Sequence, residues 1–271
     1  LREVQIRLDC DVIQADGGSV NIIQEGSGRD LVLLPTLLAD ISVYDEVIAE
    51  LSKSRRVTRI NFPGFGGSTS VGPQVVDYAK RVSDTMDALD IPNDCDLLGN
   101  GFGGFVAGTL AISQTDRIDR LVLVDTGAGF PDLAKEPLRI LAGKVREGGM
   151  ESVLDAAVKR MFPEPFIGER PDIIENRKKR LATTDPEMFA SAAEALVDLD
   201  NRANLAKIKN PTLVVVGLED QTTPPALSDE LVEGISGAEF IGLPGIGHCP
   251  QLQDPEVFLN AVCPFLGIQR V

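Results

Sequence analysis

Histidine is nearly absent: the 271-residue sequence has one, His248. A zinc site built from several histidines is therefore excluded, and any imidazole chemistry must pass through that residue. There is no tryptophan and only two tyrosines, which argues against a wide stacking site for large planar ligands. Bases are outnumbered, 26 against 41 acids, for a net charge of −15. Such a chain does not coat a phosphate backbone, and no long Lys/Arg run makes a local exception. No apolar stretch approaches the ~18 residues of a membrane span. The four cysteines (Cys10, Cys95, Cys249, Cys263) have neither metal-ligand nor disulfide spacing. A reducing, cytoplasmic setting is expected on that ground. The first residues, Leu1-Arg2-Glu3-Val4, have no basic-then-apolar leader pattern, and no initiator Met. No metal, cofactor, nucleic acid or membrane is expected as a partner. A small-molecule substrate is, and the composition is compatible with a homo-oligomer.

What is present is a regular alternation of strands and helices. Residues 4–10 alternate apolar and polar, and 19–24 form a second short strand after a Gly17-Gly18 turn. Leu31-Val32-Leu33-Leu34 is a continuous apolar run, as a strand buried on both faces requires. Further strands are expected at 56–62, 96–98, 121–124, 212–216 and 239–243. Helices are expected at 41–51, 73–89 and 102–112, with Asp254 capping the last one. This order predicts an α/β fold with a doubly wound, mostly parallel sheet.

Between Asp125 and Pro211 the pattern turns helical, with expected helices at 137–148, 150–162, 172–183 and 186–199. Pro137 and Pro186 suit first helical turns, and the prolines at 163, 165 and 171 break the run. Residues 129–205 therefore read as a helical cap inserted between core segments 1–128 and 206–271. The cap has 12 bases against 14 acids, so most of the acidity lies on the core. An anionic small molecule entering beneath the cap is not forbidden.

Three positions in order carry the chemistry. Gly99-Asn100-Gly101-Phe102-Gly103 follows a strand and opens a helix, the form of a nucleophile elbow with glycine where a serine belongs. Asp220 follows a buried strand, and His248 follows the last strand in Gly245-Ile246-Gly247-His248-Cys249-Pro250. Both stand at carboxyl ends of strands, where open α/β sheets bind ligands.

In these features the sequence resembles the α/β-hydrolase fold superfamily, and within it the 3-oxoadipate enol-lactonase-like group. Pro35-Thr36-Leu37-Leu38-Ala39-Asp40 stands where that group has its oxyanion loop. Asn61-Phe62-Pro63-Gly64-Phe65-Gly66-Gly67-Ser68 is similar to its D-x-P-G-x-G-x-S loop, with Asn61 in place of Asp. Residues 183–187 and 198–200 also resemble cap segments of that group. The resemblance implies His248 as general base and acid, with Asp220 fixing its tautomer. It implies backbone N–H groups of Leu37 and Phe102 as the oxyanion hole. It places the nucleophile at residue 101, where Gly101 has no side chain to attack with, so the ordinary acyl-enzyme route is closed.

Other readings compete. Gly99, Gly101 and Gly104 satisfy G-x-G-x-x-G, with Asp125 ending the next strand as a dinucleotide site would require. That reading leaves Asp220 and His248 unexplained. Asp125 is a reserve partner for His248, and Cys249, Ser68 and Ser70 are reserve nucleophiles. Arg177-Lys178-Lys179-Arg180 reads as a solvated helix face. The missing serine fits an inactivated serine hydrolase, which Gly101→Ser would restore. It also fits a dyad enzyme whose His248 activates water in the vacated space, or a dioxygenase or lyase using His248 as base. A binding protein that keeps the pocket is the last alternative. The reaction expected first is hydrolysis of an ester, enol lactone or related activated acyl bond.

Overall fold

A computed structural model describes residues 11–270. The strand expected at 4–10 lies outside the described residues. The first described elements are β1 (Asp11–Ala15), β2 (Gly18–Gly26) and β3 (Arg29–Leu34). A 3₁₀ turn at Ile41–Tyr44, α1 (Asp45–Leu51), β4 (Arg55–Ile60) and α2 (Val75–Ala88) come next. The elbow region is β5 (Cys95–Asn100) and α3 (Phe102–Ser113), followed by β6 (Ile118–Val124). Five helices then intervene: α4 (Asp132–Gly148), α5 (Leu154–Met161), α6 (Glu164–Glu169), α7 (Pro171–Leu181) and α8 (Pro186–Asp198). The chain closes with β7 (Thr212–Gly217), α9 (Pro225–Gly234), β8 (Glu239–Leu243), α10 (Pro250–Gln253) and α11 (Pro255–Leu266).

The eight strands form one sheet in the order β1-β2-β4-β3-β5-β6-β7-β8. Only β2 runs antiparallel to its neighbours; every pairing from β4 to β8 is parallel. The central strands are apolar because both faces are covered: Leu31–Leu34 and Leu213–Val216 are wholly buried. Helix α2 buries Val75, Tyr78, Ala79, Val82 and Met86, the i, i+3, i+4, i+7 stripe of an amphipathic helix, and leaves Val76 exposed. Asp254 caps α11 by accepting the Val257 N–H at 3.0 Å.

Two expectations about the helical stretch are corrected. Helix α4 begins at Asp132, so Pro137 lies inside it and not in its first turn. The missing proline N–H frees the Leu133 carbonyl, and Leu133 is 95% exposed, so water replaces the lost bond. The proline-rich break holds the short helix α6, whose Pro165 falls at a first-turn position where no N–H is needed. The stretch leaves and rejoins the sheet at adjacent points, since Gly129 pairs with Asp200 and Asn201 N–H donates to the Ala128 carbonyl at 2.7 Å.

Candidate active site

The turn from β5 into α3 is sharp. Gly101 has φ +55° and ψ −119°, a conformation that glycine adopts without the penalty a side chain brings. Its N–H donates to the Val124 carbonyl at 2.9 Å, and the Thr126 hydroxyl donates to its carbonyl at 2.9 Å. Gly99, Gly103 and Gly104 are explained by close approach. A Cβ at Gly99 would meet the Gly103 backbone, one at Gly103 the Leu34 carbonyl, and one at Gly104 the Thr126 side chain. They let strand, helix and loop backbones touch.

His248 is fully buried and pinned from both sides. Its N–H donates to the Met161 carbonyl at 2.8 Å, and Asn100 Nδ2 donates to its carbonyl at 3.0 Å. Its Nδ1 lies 2.8 Å from Asp220 Oδ2. Asp220 Oδ1 accepts the Thr222 and Thr223 N–H groups at 2.7 and 3.2 Å, and the Thr223 hydroxyl stands 2.7 Å from Oδ2. These bonds fix the carboxylate, and the carboxylate fixes the ring. Nδ1–H donates to Asp220, so in the neutral imidazole Nε2 carries the lone pair. Sequence reasoning brought Gly101, Asp220 and His248 to one region, and the structure places them around one point.

The residue that reasoning missed is Thr36. Its Oγ1 lies 2.9 Å from His248 Nε2 and donates to it. An attacking water was expected in the space a serine would vacate at residue 101. Two side chains close on that point: a Cβ on Gly101 would lie 2.5 Å from Thr36 Oγ1, 2.6 Å from His248 Nε2 and 2.9 Å from Thr36 Cβ. A Gly101→Ser change would require the Thr36 and His248 side chains to shift by several tenths of an ångström. The signal was available, since the quoted oxyanion-loop segment carries a hydroxyl residue one position before Leu37.

Leu37 and Phe102 line the same cavity as Thr36, Gly101 and His248. Among the described residues neither Leu37 N–H nor Phe102 N–H donates to a protein acceptor. Phe102 opens α3 at the positive end of the helix dipole, while the next N–H groups are taken, Gly103 by the Pro35 carbonyl and Gly104 and Phe105 by the Gly101 carbonyl. The cavity has a volume of about 520 Å³. Its walls include Phe105, Phe130, Leu138, Val153, Leu196 and Leu227, so helices flanking the sheet and the inserted stretch both contribute.

The reserve candidates fall elsewhere. Asp125 faces away from His248 in hydrogen bonding: its Oδ1 accepts the Gly217 N–H at 2.7 Å. Burial, together with the Asp220 charge, pushes the Asp125 carboxyl well above the carboxylate range, against the lowering effect of that one bond. Cys249 is fully buried, and burial with the Asp125 and Asp220 charges pushes its thiol well up, which suits packing and not attack. Ser68 Oγ accepts the Asn21 N–H and donates to the Asn61 carbonyl, both at 2.9 Å, so it holds the 61–68 loop. Arg177 and Arg180 are not a solvated face. Arg177 is 8% exposed and bonds Ser42 Oγ at 2.9 Å, while Arg180 pairs with Asp40 at 2.7 Å.

Residues 31–261 match the Alpha/beta hydrolase family, which is most of the chain. The chain belongs to that family. Among relatives, 3-oxoadipate enol-lactonase 2 of Acinetobacter baylyi is 30% identical over 234 residues, 86% of each chain. Polyketide synthase ThaQ of Burkholderia thailandensis is 30% identical over 268 residues, 96% of this chain, which spans only 13% of that protein. The solved enol-lactonase from Burkholderia xenovorans LB400 superimposes with a TM-score of 0.88 at 28% identity, covering 95% of this chain and 100% of that one. The eight-stranded, mostly parallel sheet of this chain thus matches the fold of that structure.

Proposed function

We propose that this chain hydrolyses an ester, enol lactone or related activated acyl bond of a small carbonyl compound. His248 serves as general base and then general acid. Asp220 holds the imidazole in the tautomer that leaves Nε2 basic and stabilises the imidazolium as it forms. The Leu37 and Phe102 N–H groups receive the developing oxyanion. The inserted helices, residues 129–205, act as a cap that encloses the acyl group in the apolar cavity and selects it. The observation that carries this reading is the buried Asp220–His248 pair, 2.8 Å apart, with His248 on the wall of that cavity. The named activities of the lactonase and esterase relatives support the reaction class.

Assays on p-nitrophenyl esters and small lactones test it. His248→Ala should abolish turnover, and Asp220→Asn should lower kcat by about 10³–10⁴-fold with little change in KM. Compounds that bind and are recovered unchanged, with affinity indifferent to His248→Ala, would make the protein a binding module instead.

A further inference from the structure

The hydroxyl that His248 engages belongs to Thr36, just past the end of the strand beside the elbow. We propose that Thr36 is the nucleophile, its Oγ1 doing the work an elbow serine would do. This rests on the hydrolytic reading above and goes beyond it by naming the attacking atom.

Three independent features converge. The first is the hydrogen bond: Thr36 Oγ1 donates to Nε2 at 2.9 Å, and Nδ1 of the same ring is 2.8 Å from Asp220. Hydroxyl, imidazole and carboxylate are thus in line, the arrangement that activates an alcohol. The second is position. Strands β3 and β5 pair in parallel with Leu34 opposite Gly99, so residues 36 and 101 sit at matching points just past the two strand ends. Oγ1 lies 2.5 Å from the point where a Cβ on residue 101 would stand, within reach of where an elbow side chain would project. The third is proximity: with no side chain at residue 101, Thr36 Oγ1 and His248 Nε2 both close on the point where one would stand, and a side chain there would have to move both. A hydroxyl absent from one strand end is present on its neighbour, and it lines the cavity.

The reaction balances without any further reagent. Thr36 Oγ1 attacks the acyl carbon as its proton passes to His248 Nε2, and the carbonyl oxygen becomes the oxyanion. Collapse breaks the bond to the leaving oxygen, which takes the proton from Nε2, and leaves the acyl group esterified to Oγ1. Water then attacks the acyl carbon, giving its proton to Nε2. Collapse breaks the Oγ1–acyl bond, Nε2 returns the proton to Thr36, and the free acid leaves.

The alternative is that Thr36 merely satisfies a buried ring nitrogen. A fluorophosphonate and a β-lactone probe, followed by peptide mapping, separate the two on the unmodified protein. The label is expected on Thr36. Thr36→Val keeps the branched shape and is expected to lose both label and at least about 10³-fold in kcat. Thr36→Ser keeps the hydroxyl and should recover most of that loss. Gly101→Ser alone should give no label at residue 101, whereas Thr36→Gly combined with Gly101→Ser should move the label there. If Thr36→Val turns over normally while His248→Ala does not, the nucleophile proposal fails and the hydrolytic reading stands. A label on any other residue also overturns it. Absence of both turnover and label in the unmodified protein overturns both readings. The labelling result does not depend on whether the valine variant folds.

Discussion

At the scale of single residues, Asp125 carries an unusual electrostatic load. It is fully buried at φ +47°, keeps one hydrogen bond, and leaves Oδ2 without a partner near Asp220. Its folded carboxyl titrates above its unfolded value of about 3.9. The sign follows: its favourable contribution is full below about pH 3.9 and is lost as pH rises toward the folded value. Asparagine tolerates a left-handed backbone and keeps the acceptor for Gly217. Asp125→Asn is therefore expected to gain stability over the unmodified protein as pH rises above about 4. Melting temperatures from pH 4 to 8 check this, and a constant difference would contradict it. Residues were also where sequence reasoning was strongest and weakest. Asp220 and His248 were legible because catalytic loops follow strands in order. Thr36 was legible only as a hydroxyl in the 35–40 loop; that it meets Nε2 depends on a contact between residues 212 positions apart.

At the scale of elements, helix α7 is fastened to the end of the 35–40 loop. Arg180 forms an ion pair with Asp40 at 2.7 Å, Arg177 approaches the same carboxylate at 3.8 Å, and Ser42 also donates to it. Burial alone would raise the Asp40 carboxyl, but the bonds and charges of Arg180, Ser42 and Arg177 outweigh it and hold it below its ordinary value. Such a group stabilises the fold above its unfolded pKa of about 3.9, and that stabilisation is lost as pH falls through the folded value. Asp40→Asn should cost about 1.5–3 kcal/mol at neutral pH. Denaturant titrations should show the deficit shrinking below about pH 4. A four-residue basic cluster reads as solvated in sequence because local charge says nothing about an acid 140 positions away. Helix starts were blurred for a similar reason: Pro137 is tolerated within α4 because Leu133 faces water.

At the scale of the whole molecule, charge and cavity oppose one another. The chain carries −15 overall, yet the cavity wall includes Lys144 and Arg160, both exposed and without an acidic partner among the described residues. Two cations on a mostly apolar wall favour a substrate with an apolar body and an anionic end. Lys144→Glu and Arg160→Glu should each raise KM for an anionic ester by about threefold to tenfold and leave a neutral ester nearly unaffected. Steady-state kinetics on the matched pair checks this, and the difference should fade above roughly 0.5 M salt, where screening reaches a few ångströms. Among the described residues no helix is long and apolar enough to cross a membrane.

The sequence by itself determined the parallel sheet, because strands buried on both faces must be continuously apolar. It also determined the order of elbow, acid and histidine, and the absence of a side chain at residue 101. Only the tertiary structure decided what replaces that side chain. Parallel pairing of β3 with β5 brings residue 36 beside residue 101. With no side chain at residue 101, the Thr36 hydroxyl is the one that reaches His248 Nε2 there.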